Sequence, residues 1–147
     1  MSALYEYTTT RRRISDTPAT VCDTPASAYA AVRDLADEER EHLIVVLLNR
    51  KNRAVGRETL YIGTVSGSPV RIAELFTLAV RQCADGILLA HNHPSGDPAP
   101  SADDLRTTRE AAAAGKLLGI RVVDHIIVGE AGRFHSMREQ SPESFMV

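Results

Sequence analysis

The chain has 147 residues, 44% of them hydrophobic, and a formal net charge of −2. This length supports one hydrophobic core and is too short for two ordinary domains. The balanced charge gives no global attraction for nucleic acid, and the basic clusters at residues 11–13 and 50–53 are more simply explained as solvated surface. No stretch approaches the roughly 20 apolar residues of a membrane span, and the distant Cys22 and Cys83 suit a reducing compartment, so we expect a cytoplasmic protein.

The predicted elements alternate between helices and strands. Residues 1–24, rich in Thr, Pro and Arg, are expected to form an extended arm with an edge strand around residues 5–13, and residues 25–147 to form the domain. A helix capped by Ser27 is expected to run to about Glu39. Further elements are predicted as strands over 42–49 and 53–62, a helix over 72–83, a strand over 86–91, a helix over 102–118, and strands near 121–128 and 132–136. This order indicates an α/β domain with a mixed sheet flanked by helices.

The most informative segment is His91-Asn92-His93-Pro94-Ser95-Gly96, at the end of an apolar run. Side chains alternate between the faces of a strand, so the two histidines share one face with Cα atoms roughly 6.5 Å apart, and Asn92 points the other way. Two imidazoles at this spacing can bind one cation. Pro94 and the turn-forming residues after it end the strand there, which places the histidines at its mouth.

A carboxylate eleven positions after His93 is the candidate third ligand. Ser101 is a good N-cap and Asp104 stands at the third helical position, so a helix beginning here directs Asp104 back toward the turn. Two imidazoles and one carboxylate leave a position for water, as in catalytic zinc sites. Each residue also has a simpler interpretation, because polar groups often end strands and Ser101 with Asp104 forms an ordinary capping box. The combination around one turn favours the metal.

This run, from His91 to Asp104, resembles the JAMM (MPN+) zinc metalloprotease signature, and most closely its bacterial RadC-like branch. The resemblance extends from about Glu41 to Ser136 and includes the segments 61–64 and 124–129. It implies a single JAMM/MPN-like, cytidine-deaminase-like domain whose mixed sheet is mostly antiparallel.

The resemblance also implies roles for individual residues. His91, His93 and Asp104 match the ligands of Zn²⁺, Glu41 matches the glutamate that acts as general base on a zinc-activated water, and Ser101 matches the serine that donates to the oxyanion. The implied reaction is hydrolysis of a peptide or isopeptide bond in a polypeptide substrate.

Residue patterns alone leave the general base open. Glu58 and Glu74 are rivals of Glu41, and only the resemblance selects Glu41. Asp124 and His125 belong to a matching segment, but a histidine in an apolar strand is better explained by a structural partner, so we expect this pair to shape the sheet near the site.

Two departures from the family pattern bear on substrate and on DNA. Ile72-Ala73 precedes Glu74 where many relatives have Pro-Arg, which argues against one substrate-side contact, and residues 1–40 contain no helix-hairpin-helix glycines, which weakens a role in DNA repair. The alternatives are a DNA-repair-associated module without peptidase activity and a non-catalytic interaction domain. We expect no strong nucleic-acid binding and no membrane association, and the sequence leaves the oligomeric state open.

Overall fold

The computed structural model describes residues 3–16, 19–63 and 70–147. In chain order the elements are α1 (Pro25–Val32), β1 (Glu41–Leu48), β2 (Ala54–Gly63), α2 (Ile72–Arg81), β3 (Gly86–Asn92), α3 (Ala102–Leu118), β4 (Arg121–Val128), β5 (Phe134–Ser136) and α4 (Met137–Gln140), with 3-10 turns at Arg33–Asp37 and Pro142–Phe145. Thr64, the last residue of the matching segment 61–64, lies outside the described residues. No helix within the described ranges is long and apolar enough to cross a membrane.

The strands form one mixed sheet in the order β2-β1-β3-β4-β5. Among the described strands, β3 and β4 form the one parallel pair, while β1–β2, β1–β3 and β4–β5 are antiparallel. The connection between the parallel strands carries α3, as a parallel pair requires a crossover. The predicted α/β architecture, with a mixed and mostly antiparallel sheet flanked by helices, is confirmed.

Both faces of the sheet are covered by helices. Ile44, Val46 and Leu48 of β1 pack with α1, while Leu43, Val45 and Leu47 pack with α2 and α3. We call the second side the α3 face. The nearly continuous burial of β1 agrees with the central position that its apolar sequence predicts.

A β-bulge interrupts the alternation of β4. Ile87 of β3 pairs with Val122, but the next residue, Leu88, pairs with Asp124. The extra residue shifts the alternation of side chains between the two faces by one position. Val122 and His125 therefore both lie on the α3 face, although they are three residues apart. The bulge therefore places His125 close to His91 of β3.

The start of α1 differs from the prediction. Thr24 is the N-cap, Pro25 occupies the first turn, and Ser27 is the third helical residue. The two side chains form a reciprocal capping box, in which Thr24 Oγ1 accepts from the Ser27 amide and Ser27 Oγ accepts from the Thr24 amide. Proline suits the first helical turn, which explains why the helix begins before Ser27. It ends at Val32 and is followed by the 3-10 turn, short of the expected Glu39.

The predicted edge strand over residues 5–13 is wrong. This segment has no strand pairing, and the side chains of Tyr5 and Tyr7 are 70% and 80% exposed. Without burial, nothing offsets the conformational entropy lost on forming a strand. The N-terminal arm contacts the strands closer to α1, where Val21 forms an isolated antiparallel bridge with Arg53. The domain boundary at residue 25 stays a prediction.

Candidate metal centre

His91 and His93 lie at the carboxyl end of β3 on the α3 face, as their spacing predicts. Their Nε2 atoms are 3.1 Å apart. The backbone amide of His93 still donates to the Val128 carbonyl at 3.0 Å, which fixes the second histidine although it follows the last residue of the strand. The pair thus presents two imidazole nitrogens to one point.

Asp104 reaches both histidines from the first turn of α3. Its Oδ1 is 3.2 Å from His91 Nε2, and its Oδ2 is 3.2 Å from His93 Nε2. The capping box holds it there, because Ser101 Oγ accepts from the Asp104 amide at 3.0 Å and Asp104 Oδ2 accepts from the Ser101 amide at 2.9 Å. The helix cap and the approach to the histidines are therefore compatible roles of the same carboxylate.

Glu41 stands at the edge of this group. Its Oε1 lies 3.9 Å from His91 Nε2, and the ligand atoms of Glu41, His91 and His93 all lie within 4.8 Å of one another. The sheet register explains this position. Leu43 pairs with His91 and faces α3, so Glu41, two residues earlier in β1, lies on the same face beside the end of β3.

Asn92 holds the backbone that carries Glu41. It points to the opposite face, as expected, where its Oδ1 accepts from the His42 amide at 2.7 Å and its Nδ2 donates to the Arg40 carbonyl at 3.0 Å. These bonds flank Glu41 on both sides. Sequence reasoning missed this role, although a polar residue at the end of a fully buried strand was a signal for it.

The rival glutamates lie elsewhere. Glu58 is exposed on β2 and pairs with Val45, while Glu74 on α2 contacts the Tyr61 hydroxyl and an arginine one turn away. Neither glutamate belongs to the group formed by Glu41, His91 and His93, whose ligand atoms lie within 4.8 Å of one another. The structure therefore brings together the four residues His91, His93, Asp104 and Glu41, with Ser101 at the adjoining helix cap.

The hydrogen-bond partners of His93 determine which of its ring nitrogens carries the proton. His93 Nδ1 is 2.8 Å from the Asp97 carbonyl, which can only accept, so a neutral His93 carries its proton on Nδ1 and turns the Nε2 lone pair toward Asp104. Lone pair and carboxylate then face each other without a proton. A proton added to His93 Nε2 would be donated to Asp104, and this hydrogen bond raises the pKa of His93. Burial alone would raise the pKa of Asp104, but the hydrogen bonds that protonated His91 and His93 donate to it outweigh burial and hold it well below its ordinary value.

These residues fit a divalent cation. Two imidazole nitrogens and a carboxylate converge on one point, and this is the donor set of open zinc sites. A cation would satisfy the facing acceptors more fully than a single proton can. The thiols are not part of this donor set, since Cys22 is buried in the core beside α1 and Cys83 is exposed.

The sheet order, the flanking helices and the His-x-His strand end define an MPN-type α/β domain with a candidate metal centre. The chain belongs to the RadC-like JAB domain family, whose model matches residues 22–142.

The chain is also similar to several proteins described as UPF0758 proteins. It is 46% identical over 109 residues to one from Desulforamulus reducens, which covers 74% of this chain and 48% of the relative. Identity is 45% over 107 residues to one from Chloroflexus aurantiacus (73% of this chain, 46% of the relative). It is 40% over 120 residues to one from Clostridium kluyveri (82% and 52%). The chain thus spans about half the length of the curated relatives it matches.

Proposed function

We propose that this domain is a zinc-dependent metallohydrolase that cleaves peptide or isopeptide bonds. The observation that carries the proposal is the convergence of His91 Nε2, His93 Nε2 and the Asp104 carboxylate, with a second carboxylate, Glu41, just beyond them. Three groups at ligand spacing and one at a greater distance suit a catalytic centre better than a closed structural site.

Under this proposal His91, His93 and Asp104 hold the zinc. Zinc, when bound, supplies Lewis-acid chemistry, which polarises a carbonyl oxygen and makes water more acidic. Glu41 Oε1 takes a proton from the attacking water and passes it to the leaving amine as the carbon–nitrogen bond breaks. Its side chain is 28% exposed, so it can meet both water and a bound polypeptide.

Ser101 is the proposed donor to the developing oxyanion. Its Oγ accepts the capping hydrogen bond from Asp104, and acceptance leaves the hydroxyl proton available to donate. A donor positioned where negative charge develops stabilises the transition state more than the ground state. The polypeptide substrate itself stays undefined by these residues.

The test of the proposal combines metal analysis with a peptidase assay. We expect about one zinc per chain in protein purified without chelator, and hydrolysis of a panel of peptide and isopeptide substrates that stops with chelator and returns with zinc. Zinc-loaded protein that cleaves none of the panel would contradict the proposed reaction and favour a RadC-type role without peptidase activity.

Removal of one ligand should release the metal. We expect His93→Ala and Asp104→Asn to lose zinc, because two remaining protein ligands hold the ion poorly; asparagine keeps an oxygen for the Ser101 amide and so spares the helix cap. Elemental analysis after dialysis measures this. Asp103→Asn is the matched control, since Asp103 lies in the same turn but pairs with Arg106 on the surface. Cys22→Ser and Cys83→Ser should also keep zinc, and full occupancy in both ligand variants would refute the site.

DNA binding should be weak. With a net charge of −2, we expect duplex DNA to bind no better than the non-specific range, on the order of 10⁻⁴ to 10⁻⁶ M, and binding to disappear as salt rises. A fluorescence-anisotropy titration at two salt concentrations measures both. A nanomolar, sequence-dependent complex would contradict the expectation and support a DNA-associated module.

A further inference from the structure

A second, buried set of hydrogen bonds joins two of the proposed ligands. His125 of β4 is 1% exposed; its Nε2 lies 2.8 Å from His91 Nδ1, and its Nδ1 lies 2.7 Å from Thr108 Oγ1. Thr108, fully buried on α3, also lies 2.7 Å through Oγ1 from the backbone carbonyl of Asp104. His91 and Asp104 are thus connected through His125 and Thr108.

The carbonyl at one end determines the direction of every hydrogen bond in this set. The Asp104 carbonyl can only accept, so the Thr108 hydroxyl must donate to it. Thr108 Oγ1 can then only accept from His125, which places a proton on His125 Nδ1. If His125 is neutral, its Nε2 carries a lone pair and must accept from His91 Nδ1. The remaining nitrogen of His91, Nε2, is therefore left as a lone pair pointing to Asp104 and His93.

The directions of these hydrogen bonds follow only if His125 is neutral. Its imidazole is fully buried, and its ring nitrogens contact His91 and Thr108 rather than a carboxylate, so burial disfavours the charged form. The imidazole therefore has one proton to donate and one lone pair at neutral pH. A charged His125 would donate from both nitrogens, and a neutral His91 would then have to accept at Nδ1 and carry its proton on Nε2.

We propose that Thr108 and His125 are positioning residues that fix His91 as its Nδ1–H tautomer and so reserve His91 Nε2 for the metal. The inference rests on the proposed metal site and deepens it. Without the Thr108 hydroxyl, His125 can instead donate from Nε2 to His91 Nδ1. His91 would then carry its proton on Nε2, where it blocks coordination. Residues around a ligand that set its tautomer typically change metal affinity by about 10- to 100-fold when replaced.

The experiment compares three threonine variants with the unmodified domain. Thr108→Val removes only the hydroxyl at nearly constant volume, Thr108→Ser retains it, and Thr107→Val changes a neighbouring buried threonine outside the hydrogen-bond set. Nitrogen-15 NMR of labelled histidines in the metal-free proteins reads the His91 tautomer. Zinc competition with a chromophoric chelator gives the affinity.

We expect Nδ1–H His91 in the unmodified protein, in Thr108→Ser and in Thr107→Val. Thr108→Val should populate the Nε2–H tautomer and bind zinc about 10- to 100-fold more weakly. A wild-type tautomer and wild-type affinity in Thr108→Val would overturn the inference, and so would Nε2–H His91 in the unmodified protein, a result that requires no variant to fold.

A second pair of variants tests the other member of the set. His125→Gln offers an amide oxygen close to the position of the imidazole Nε2 and should preserve Nδ1–H His91, whereas His125→Leu should lose the preference. Equal tautomers in both variants would overturn the inference. Nδ1–H His91 in an unmodified protein that binds no zinc would support the proton order and refute the proposed metal site, because the tautomer is measured without metal.

Discussion

Glu41→Gln should retain zinc and a nearly unchanged melting temperature while hydrolysis of a validated substrate falls by about 10²- to 10⁴-fold. Glutamine has the shape of glutamate but does not take up the proton of the attacking water. The Asn92 bonds on either side of residue 41 involve only backbone atoms of Arg40 and His42, so the substitution leaves them intact. Steady-state kinetics, zinc analysis and thermal unfolding measure the three quantities.

Glu58→Gln is the matched control for this substitution. Glu58 is an exposed glutamate on the neighbouring strand β2, and its replacement should change neither turnover nor zinc content. Unchanged turnover in Glu41→Gln would refute the role of Glu41 as the general base and with it the proposed mechanism. Loss of zinc in Glu41→Gln would instead make Glu41 a ligand.

Replacements of Ser101 should separate its capping role from its proposed catalytic role. Ser101→Ala removes both, and we expect a loss of about 1 kcal/mol in the free energy of unfolding together with about 10²- to 10³-fold slower turnover. Ser101→Asp keeps an oxygen that accepts from the Asp104 amide, but when ionised it has no proton to donate and adds negative charge beside the oxyanion. It should melt closer to the wild-type protein than Ser101→Ala does and yet hydrolyse substrate no faster.

Zinc should be retained in both Ser101 variants, which metal analysis checks. Full activity of Ser101→Asp would make Ser101 a helix cap alone. The transition state would then require stabilisation by other groups.

The sequence predicted those elements whose boundaries have local causes. The helix expected over 102–118 is observed at Ala102–Leu118, where Ser101 caps its start and Gly119, with a positive φ of 71°, follows its last residue. The β4 bulge could not be predicted, because it depends on how Val122 and Asp124 pair with the neighbouring strand. The prediction took Ser27 as the cap of α1, whereas Thr24 caps it and Pro25 occupies its first turn.

The residues of the candidate site also fall into those that local patterns relate and those that only the fold brings together. His91, His93 and Asp104 could be related through strand alternation and a helix cap, both of which are local. Glu41 needed the family resemblance, because its approach depends on the register between β1 and β3. The contacts of Asn92, Thr108 and His125 join residues far apart in the chain, with separations of 50 for Asn92 to His42 and 34 for His125 to His91. A local pattern can mark such a residue as polar and buried, but it does not identify a partner that lies far away in the chain.

Because of the bulge in β4, the site depends on the number of residues between Val122 and His125. Val122 contributes to the core and His125 contacts His91 from the same face only because one additional residue lies between them. Deleting Val123 would leave just one of the two on that face. Either a buried apolar residue would leave the core or an imidazole would leave its histidine partner. A regular β4 strand with the same types of side chain could therefore not place both Val122 in the core and His125 beside His91.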